Sequence, residues 1–154
     1  MQIDQTGNLS LSLEHLLGES IAVLGIKGSG KSNTAAVMAE EMLASGLPLA
    51  LVDIAGEYWG LRERYPILVL GRGPTADLEI APSHGSALAE FSLRQSVPLI
   101  LDLGDFSTEE RLVLLERFFE ELWRVAGELR RPYAIFLEEA PSFPRRAHLP
   151  RSGV

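Results

Sequence analysis

The chain has 154 residues, 46% of them apolar, no cysteine and a formal net charge of −7. That is the size and composition of one folded domain with an ample core, and it excludes a disordered chain, a disulfide framework, a thiolate metal site and a cysteine nucleophile. The acidic balance also speaks against the broad basic surface of a simple nucleic-acid-coating domain, although Arg145, Arg146 and Arg151 make the acid-free residues 140–154 locally basic, as a solvated Pro- and Arg-rich end usually is.

Residues 1–19 read as a lead-in whose start, Met1 to Asn8, is polar and lacks the basic-then-apolar order of a signal sequence, and no apolar run is long enough to span a bilayer. A soluble, cytoplasmic protein without membrane contact is expected. Ser20 to Leu24 is a short apolar run with β-branched members, expected to be a strand. It leads into Gly25-Ile26-Lys27-Gly28-Ser29-Gly30-Lys31-Ser32, which fits G-x-x-x-x-G-K-[ST]. Asn33 to Ser45, rich in Ala, Met, Leu and Glu, is expected to be the helix that follows. Strand, loop and helix in this order are the setting of a phosphate-cradling P-loop.

The residue types of the loop explain the chemistry. Gly25, Gly28 and Gly30 can take backbone angles closed to other residues and turn successive N–H groups onto a phosphate. The helix start adds unpaired N–H groups and the positive end of a dipole. Lys31 would reach the β- and γ-phosphates, and the Ser32 hydroxyl would join a Mg²⁺ shell completed by water and phosphate oxygens. Lys27, Ser29 and Asn33 complete the candidate nucleotide-binding stretch. Lys27 and Lys31 are the only two lysines among 14 basic residues.

Gly46 is placed to end the helix, and Pro48 forbids its continuation. Leu49 to Ile54 is expected to be a buried strand, apolar until Asp53 at its C-terminal end. In an open parallel sheet that end borders the ligand crevice, which makes Asp53 a site candidate. Gly56-Glu57-Tyr58-Trp59 opens an amphipathic turn that runs to Arg64. Ile67 to Leu70 is a short strand, and Gly71-Arg72-Gly73-Pro74 a turn. Ser86 to Gln95 is expected to be a helix with Ala87, Leu88, Phe91 and Leu93 inward. Leu99 to Leu103 is a further strand, whose Asp102 either faces the site or caps the next turn.

The longest helix opens with Ser107 as N-cap and Glu110 three residues on, a capping box. Leu112, Leu115, Phe119, Leu122, Trp123 and Ala126 form the stripe expected to pack on the sheet, with the aromatics serving as core rather than as a base-stacking platform. Arg131-Pro132 ends it. This alternation of strands and helices predicts an α/β protein with a mainly parallel sheet.

Tyr133 to Ala140 is an apolar strand ending in two carboxylates, Glu138 and Glu139. Adjacent acids at a buried strand end repel and lose hydration unless a cation sits nearby, and a nucleotide-bound Mg²⁺ would supply one. This is the pattern of a Walker B strand. Glu138 is placed to hold the metal through water, and Glu139 to polarise the attacking water as a general base.

On these residues the chain resembles the HerA/FtsK group of P-loop motor ATPases, and the HerA-like branch most closely. The likeness rests on the loop Gly25 to Ser32 with Asn33-Thr34, on Asp53-Ile54-Ala55-Gly56-Glu57-Tyr58 as the family's D-x-x-G-E-Y element, and on Glu138-Glu139-Ala140. The resemblance implies a RecA-like domain that hydrolyses ATP with Mg²⁺, assembles into hexameric rings and translocates double-stranded DNA, in the HerA branch often in DNA-end processing or repair with a partner nuclease. By motif position Lys31 and Glu139 are catalytic, Ser32 and Glu138 hold the metal, and Asp53 and Glu57 belong to an element near the site whose roles stay open.

Three departures stand out. Glu138 occupies a position where many relatives have Asp, and Pro141 follows where family members often have His. Residues 140–154, broken by Pro141, Pro144 and Pro150, cannot form the strand that carries the family's γ-phosphate sensor, nor supply its arginine finger. Residues 1–154 are therefore expected to be a single P-loop domain that lacks the C-terminal strands of a complete core, with a lead-in at 1–19, a nucleotide-binding core at 20–140 and a Pro/Arg-rich end at 141–154. The alternative is a nucleotide-binding regulatory or assembly module without motor activity of its own. A small-molecule kinase would want a lid and substrate-binding arginines between the motifs, and the acidic pair suits water activation better.

Overall fold

Leu49–Asp53, the strand β1, is buried at all five positions, the pattern of a strand covered on both faces. The computed structural model describes residues 28–138 together with 12, 18, 21–24 and 26. In it β1 pairs in parallel with β4 (Leu99–Asp102) on one side and β5 (Ala134–Leu137) on the other. β4 also pairs with β2 (Leu68–Gly71), which carries the two-residue β3 (Leu78–Glu79) at the edge. The strand order is β3-β2-β4-β1-β5, and every pairing is parallel.

Side chains alternate across this sheet and so feed two cores. Ala50, Val52, Leu70, Leu99 and Leu101 meet α2 (Gly85–Gln95) and α3 (Thr108–Leu129). Leu49, Leu51, Val69 and Ile100 meet α1 (Lys31–Ala44) and the 3₁₀ turn Trp59–Glu63. The result is the expected α/β architecture, a parallel sheet between helices, consistent with a RecA-like P-loop fold.

The helix ends obey the local rules. α1 stops where Gly46 takes φ +77°, with the Gly46 amide donating to Leu43 O and the Leu47 amide to Met42 O, a Schellman closure. At α3 the Ser107 hydroxyl accepts from the Glu110 amide, while Glu110 accepts from the Ser107 amide. Arg72 adds a bidentate pair to Glu110 and lies 4.0 Å from the centre of the Phe106 ring. The Arg72 hydrogen bonds hold the Glu110 carboxyl below its usual range.

α2 and α3 are both rotated from the expected phase. α3 buries Leu114, Leu115, Phe118, Leu122 and Val125, and Trp123 is 85% exposed, so that indole is not core. Apolar residues stand in adjacent pairs along this helix, and two stripes one position apart are almost equally apolar. The choice is made by α2, which buries Gly85, Ala89, Ser92 and Leu93 and leaves Ala87 and Phe91 exposed. A Cβ at Gly85 would overlap Leu114 O and crowd the Phe118 amide. Small residues thus let the two backbones approach, a contact that counting large apolar side chains does not reveal.

The strand expected over Ser20 to Leu24 is also corrected. Ile21–Leu24 are not in a strand, and Leu24 is 88% exposed. None of the strand pairings among the described residues reaches this segment, and a strand without a neighbour has no acceptors for its amides. No helix among the described residues is long and apolar enough to cross a membrane.

Candidate functional site

All strands among the described residues run the same way, so their C-terminal ends lie along one edge, and the first turn of α1 sits at that edge beside the end of β5. Gly28 and Gly30 precede the helix with φ of +81° and +87°, a region that side-chain-bearing residues rarely adopt. The Ser29 amide donates to Ile26 O, and the first helical bond runs from the Thr34 amide to Gly30 O. The amides of Lys31, Ser32 and Asn33 therefore have no acceptor within the helix, which gives a donor cluster suited to an anion. Lys31 folds back, its Nζ donating to Ile26 O at 3.0 Å.

Ser32 points its hydroxyl at the end of β5 and donates to Glu138 Oε1 at 3.0 Å. The Glu138 amide donates to Val52 O, which continues the sheet register and fixes the backbone under that carboxyl. Glu138 Oε2 is buried and has no hydrogen-bond partner among the described residues.

Asp53 is 1% exposed, and both of its oxygens are engaged. Oδ1 accepts from the Gly56 amide at 2.7 Å and Oδ2 from the Tyr58 amide at 2.9 Å, so the carboxylate at the end of β1 ties down the whole Gly-Glu-Tyr turn. Gly56 makes the turn possible with φ +72°. Tyr58 then runs inward, and its hydroxyl lies 3.4 Å from both Ser32 O and Glu138 Oε1.

The site candidates therefore separate into groups. Gly28 to Asn33, Asp53 and Glu138 come together at one edge of the sheet. Glu57 is exposed on the rim of a cleft of about 430 Å³, which Glu40, Glu63 and Arg64 also line. Asp102 caps its own turn, accepting from the Gly104 amide and from Thr75 Oγ1, the second of its two expected roles. Gly25, Lys27 and Glu139 lie outside the described residues. Sequence reasoning named Tyr58 only as the last member of the D-x-x-G-E-Y element and gave it no role in the site.

The family described as "Helicase HerA, central domain" matches residues 3–132. The chain belongs to that HerA family. Neither the curated proteins nor the solved structures gave a match. Membership makes the domain a HerA-family ATPase core, and the matched stretch contains both the P-loop and the Asp53 to Tyr58 turn.

The electrostatics of this HerA-type edge suit a cation. Burial pushes the Glu138 carboxyl above its ordinary range, the Ser32 hydrogen bond partly opposes this, and the charges of Asp53 and Glu57 push it further up. Burial and the Glu138 charge also raise the Tyr58 phenol. Acids crowded around an orphaned Glu138 Oε2 are the environment that a divalent ion would relieve. No group of three His, Cys, Asp or Glu among the described residues could hold a metal alone. An ion here would be held by few protein atoms, with water and phosphate oxygens as the rest, as suits Mg²⁺.

Proposed function

We propose that this domain is the ATP-binding and ATP-hydrolysing core of a HerA-like double-stranded DNA translocase, working in a homo-oligomeric ring, hexameric when complete, and serving DNA-end processing or repair beside a nuclease. The observation that carries the reading is the contact between Ser32 and Glu138, which joins the P-loop helix to the late acidic strand in a chain of this family.

In this reading the loop from Gly25 to Asn33, Lys27 and Ser29 included, wraps the phosphates with its amides. Lys31 exchanges Ile26 O for a phosphate oxygen and offsets the charge that builds there. Ser32 and Glu138 are the residues that would hold Mg²⁺, which when bound neutralises charge on the β- and γ-phosphates. Glu139 takes a proton from the attacking water as general base. Asp53 holds the turn that carries Glu57 and Tyr58.

A second reading, a nucleotide-binding regulatory or assembly module without its own motor activity, draws on one observation. β5 pairs with β1 alone among the described residues and carries exposed Ile135 and Leu137, so no second neighbour for this strand is found among them. ATP turnover with and without linear duplex DNA separates the two readings. The translocase reading expects hydrolysis stimulated by DNA, and a Glu139→Gln form that still binds ATP but turns over about 100-fold more slowly or worse. Binding without turnover in the unsubstituted protein would support the module.

A further inference from the structure

We propose that Tyr58 is a positioning residue for the metal-holding pair, its phenol fixing the Glu138 carboxyl against the Ser32 hydroxyl. The inference rests on the nucleotide reading above and assigns a part to a residue that reading leaves without one.

Tyr58 is 4% exposed and anchored at both ends. Its amide is held by Asp53 at the end of β1, and its ring packs among the residues under α1. Its hydroxyl reaches the first turn of α1 at Ser32 O and the end of β5 at Glu138 Oε1. One side chain therefore bridges the three elements whose relative placement sets the distance between Ser32 and Glu138.

The bonding pattern is directional. Ser32 donates its only hydroxyl proton to Glu138 Oε1, which leaves the lone pairs of its Oγ available to a cation. A phenol keeps its proton at neutral pH, and that single proton goes to one acceptor at a time, Ser32 O or the same Oε1; the charged carboxylate is the stronger acceptor, so the phenol brings a second donor to Oε1. With Oε1 held from two sides the carboxyl cannot rotate freely, and Oε2 stays the oxygen without a partner among the described residues. Both phenol contacts are long for hydroxyl hydrogen bonds, as contacts at reaction sites often are before a ligand draws them in. Outer-shell groups of this kind orient the groups that touch a metal, and their loss typically weakens metal binding about 10- to 100-fold.

The test is Tyr58→Phe in the full chain, which keeps the ring and removes only the hydroxyl. Binding of a fluorescent ADP analogue is titrated without Mg²⁺ and then against Mg²⁺, with a thermal melt as the check on folding. The expected result is unchanged affinity without Mg²⁺, and a Mg²⁺ concentration for half-maximal effect raised about tenfold. Asp53→Asn, which loosens the amide anchor but keeps the phenol, should give the same Mg²⁺-selective defect in smaller measure. A Tyr58→Phe protein with wild-type Mg²⁺ dependence overturns the proposal, as does one that loses affinity equally with and without Mg²⁺, since that is a packing effect. Failure of the wild-type chain to bind the analogue at all overturns the nucleotide reading itself, and the two failures are told apart by that control.

Discussion

Ser32 Oγ lies 3.0 Å from Glu138 Oε1, although 106 positions separate the two residues in the chain. One belongs to the first turn of α1 and the other follows β5, so the contact is set by the parallel sheet that brings both to one edge. The other oxygen of the same carboxyl has no partner among the described residues. A hydrogen-bonded donor on one side and an unsatisfied acceptor on the other are what a cation site offers before the ion arrives.

The protonation of Glu138 gives a first prediction. Burial, with Asp53 and Glu57 nearby, holds its carboxyl above the ordinary range, against the pull of Ser32, and Tyr58 is its other polar neighbour. A carboxyl raised in the fold contributes stability in full below the ordinary carboxylate range and loses it as pH rises through its folded pKa. In the absence of divalent metal, Glu138→Gln should therefore melt at or above the wild-type temperature at about pH 8, and the gap should close in acid. Adding Mg²⁺ with ADP should raise the wild-type melting temperature more than that of the variant. A variant that melts well below wild type at the higher pH would contradict this electrostatic account.

Asp53 gives a second. Its two oxygens satisfy the Gly56 and Tyr58 amides inside the protein, so Asp53→Ala leaves two donors without an acceptor. Each orphaned buried group costs about 1–3 kcal/mol, and a total loss of about 2–6 kcal/mol is expected in urea denaturation. A loss under about 0.5 kcal/mol, the range of ordinary surface changes, would show that the turn does not depend on this carboxylate.

The phase of α3 can be checked with two substitutions five positions apart. Phe118 is fully buried between α3 and the sheet, and Trp123 projects into solvent. Phe118→Ala should cost about 3–5 kcal/mol. Trp123→Ser should change stability by no more than about 0.5 kcal/mol. A loss at Trp123 as large as that at Phe118 would contradict this phase.

That contrast shows where sequence reasoning reached and where it stopped. The caps at Gly46 and Ser107, the strand ends at Asp53 and Glu138 and the parallel sheet were legible, because each depends on local residue chemistry or on a clear apolar run. The rotations of α2 and α3 were not, because they are decided by the close approach of backbones at Gly85, where the informative feature is a missing side chain. β3 is two residues long and too short to leave a pattern. Ile21–Leu24 have the composition of a strand but no partner among the described residues, and pairing is a property of the fold, not of the segment. Within the site, the P-loop and the acidic strand announced themselves, whereas the role of Tyr58 became visible only when the Asp53 turn placed its hydroxyl between Ser32 and Glu138.

The central claim is that the edge formed by Gly28 to Asn33 and Glu138 holds a nucleoside triphosphate. Lys31 is the residue to remove, since its ammonium makes one contact to the loop's own Ile26 O and lies outside the core. Isothermal titration of Mg-ATP into the wild-type chain and into Lys31→Ala, both shown to be folded by thermal melting, tests this directly. Saturable binding to wild type and affinity at least about tenfold weaker in Lys31→Ala is the predicted result, the size expected from losing a charge-assisted hydrogen bond. Equal affinity in the two proteins would contradict it.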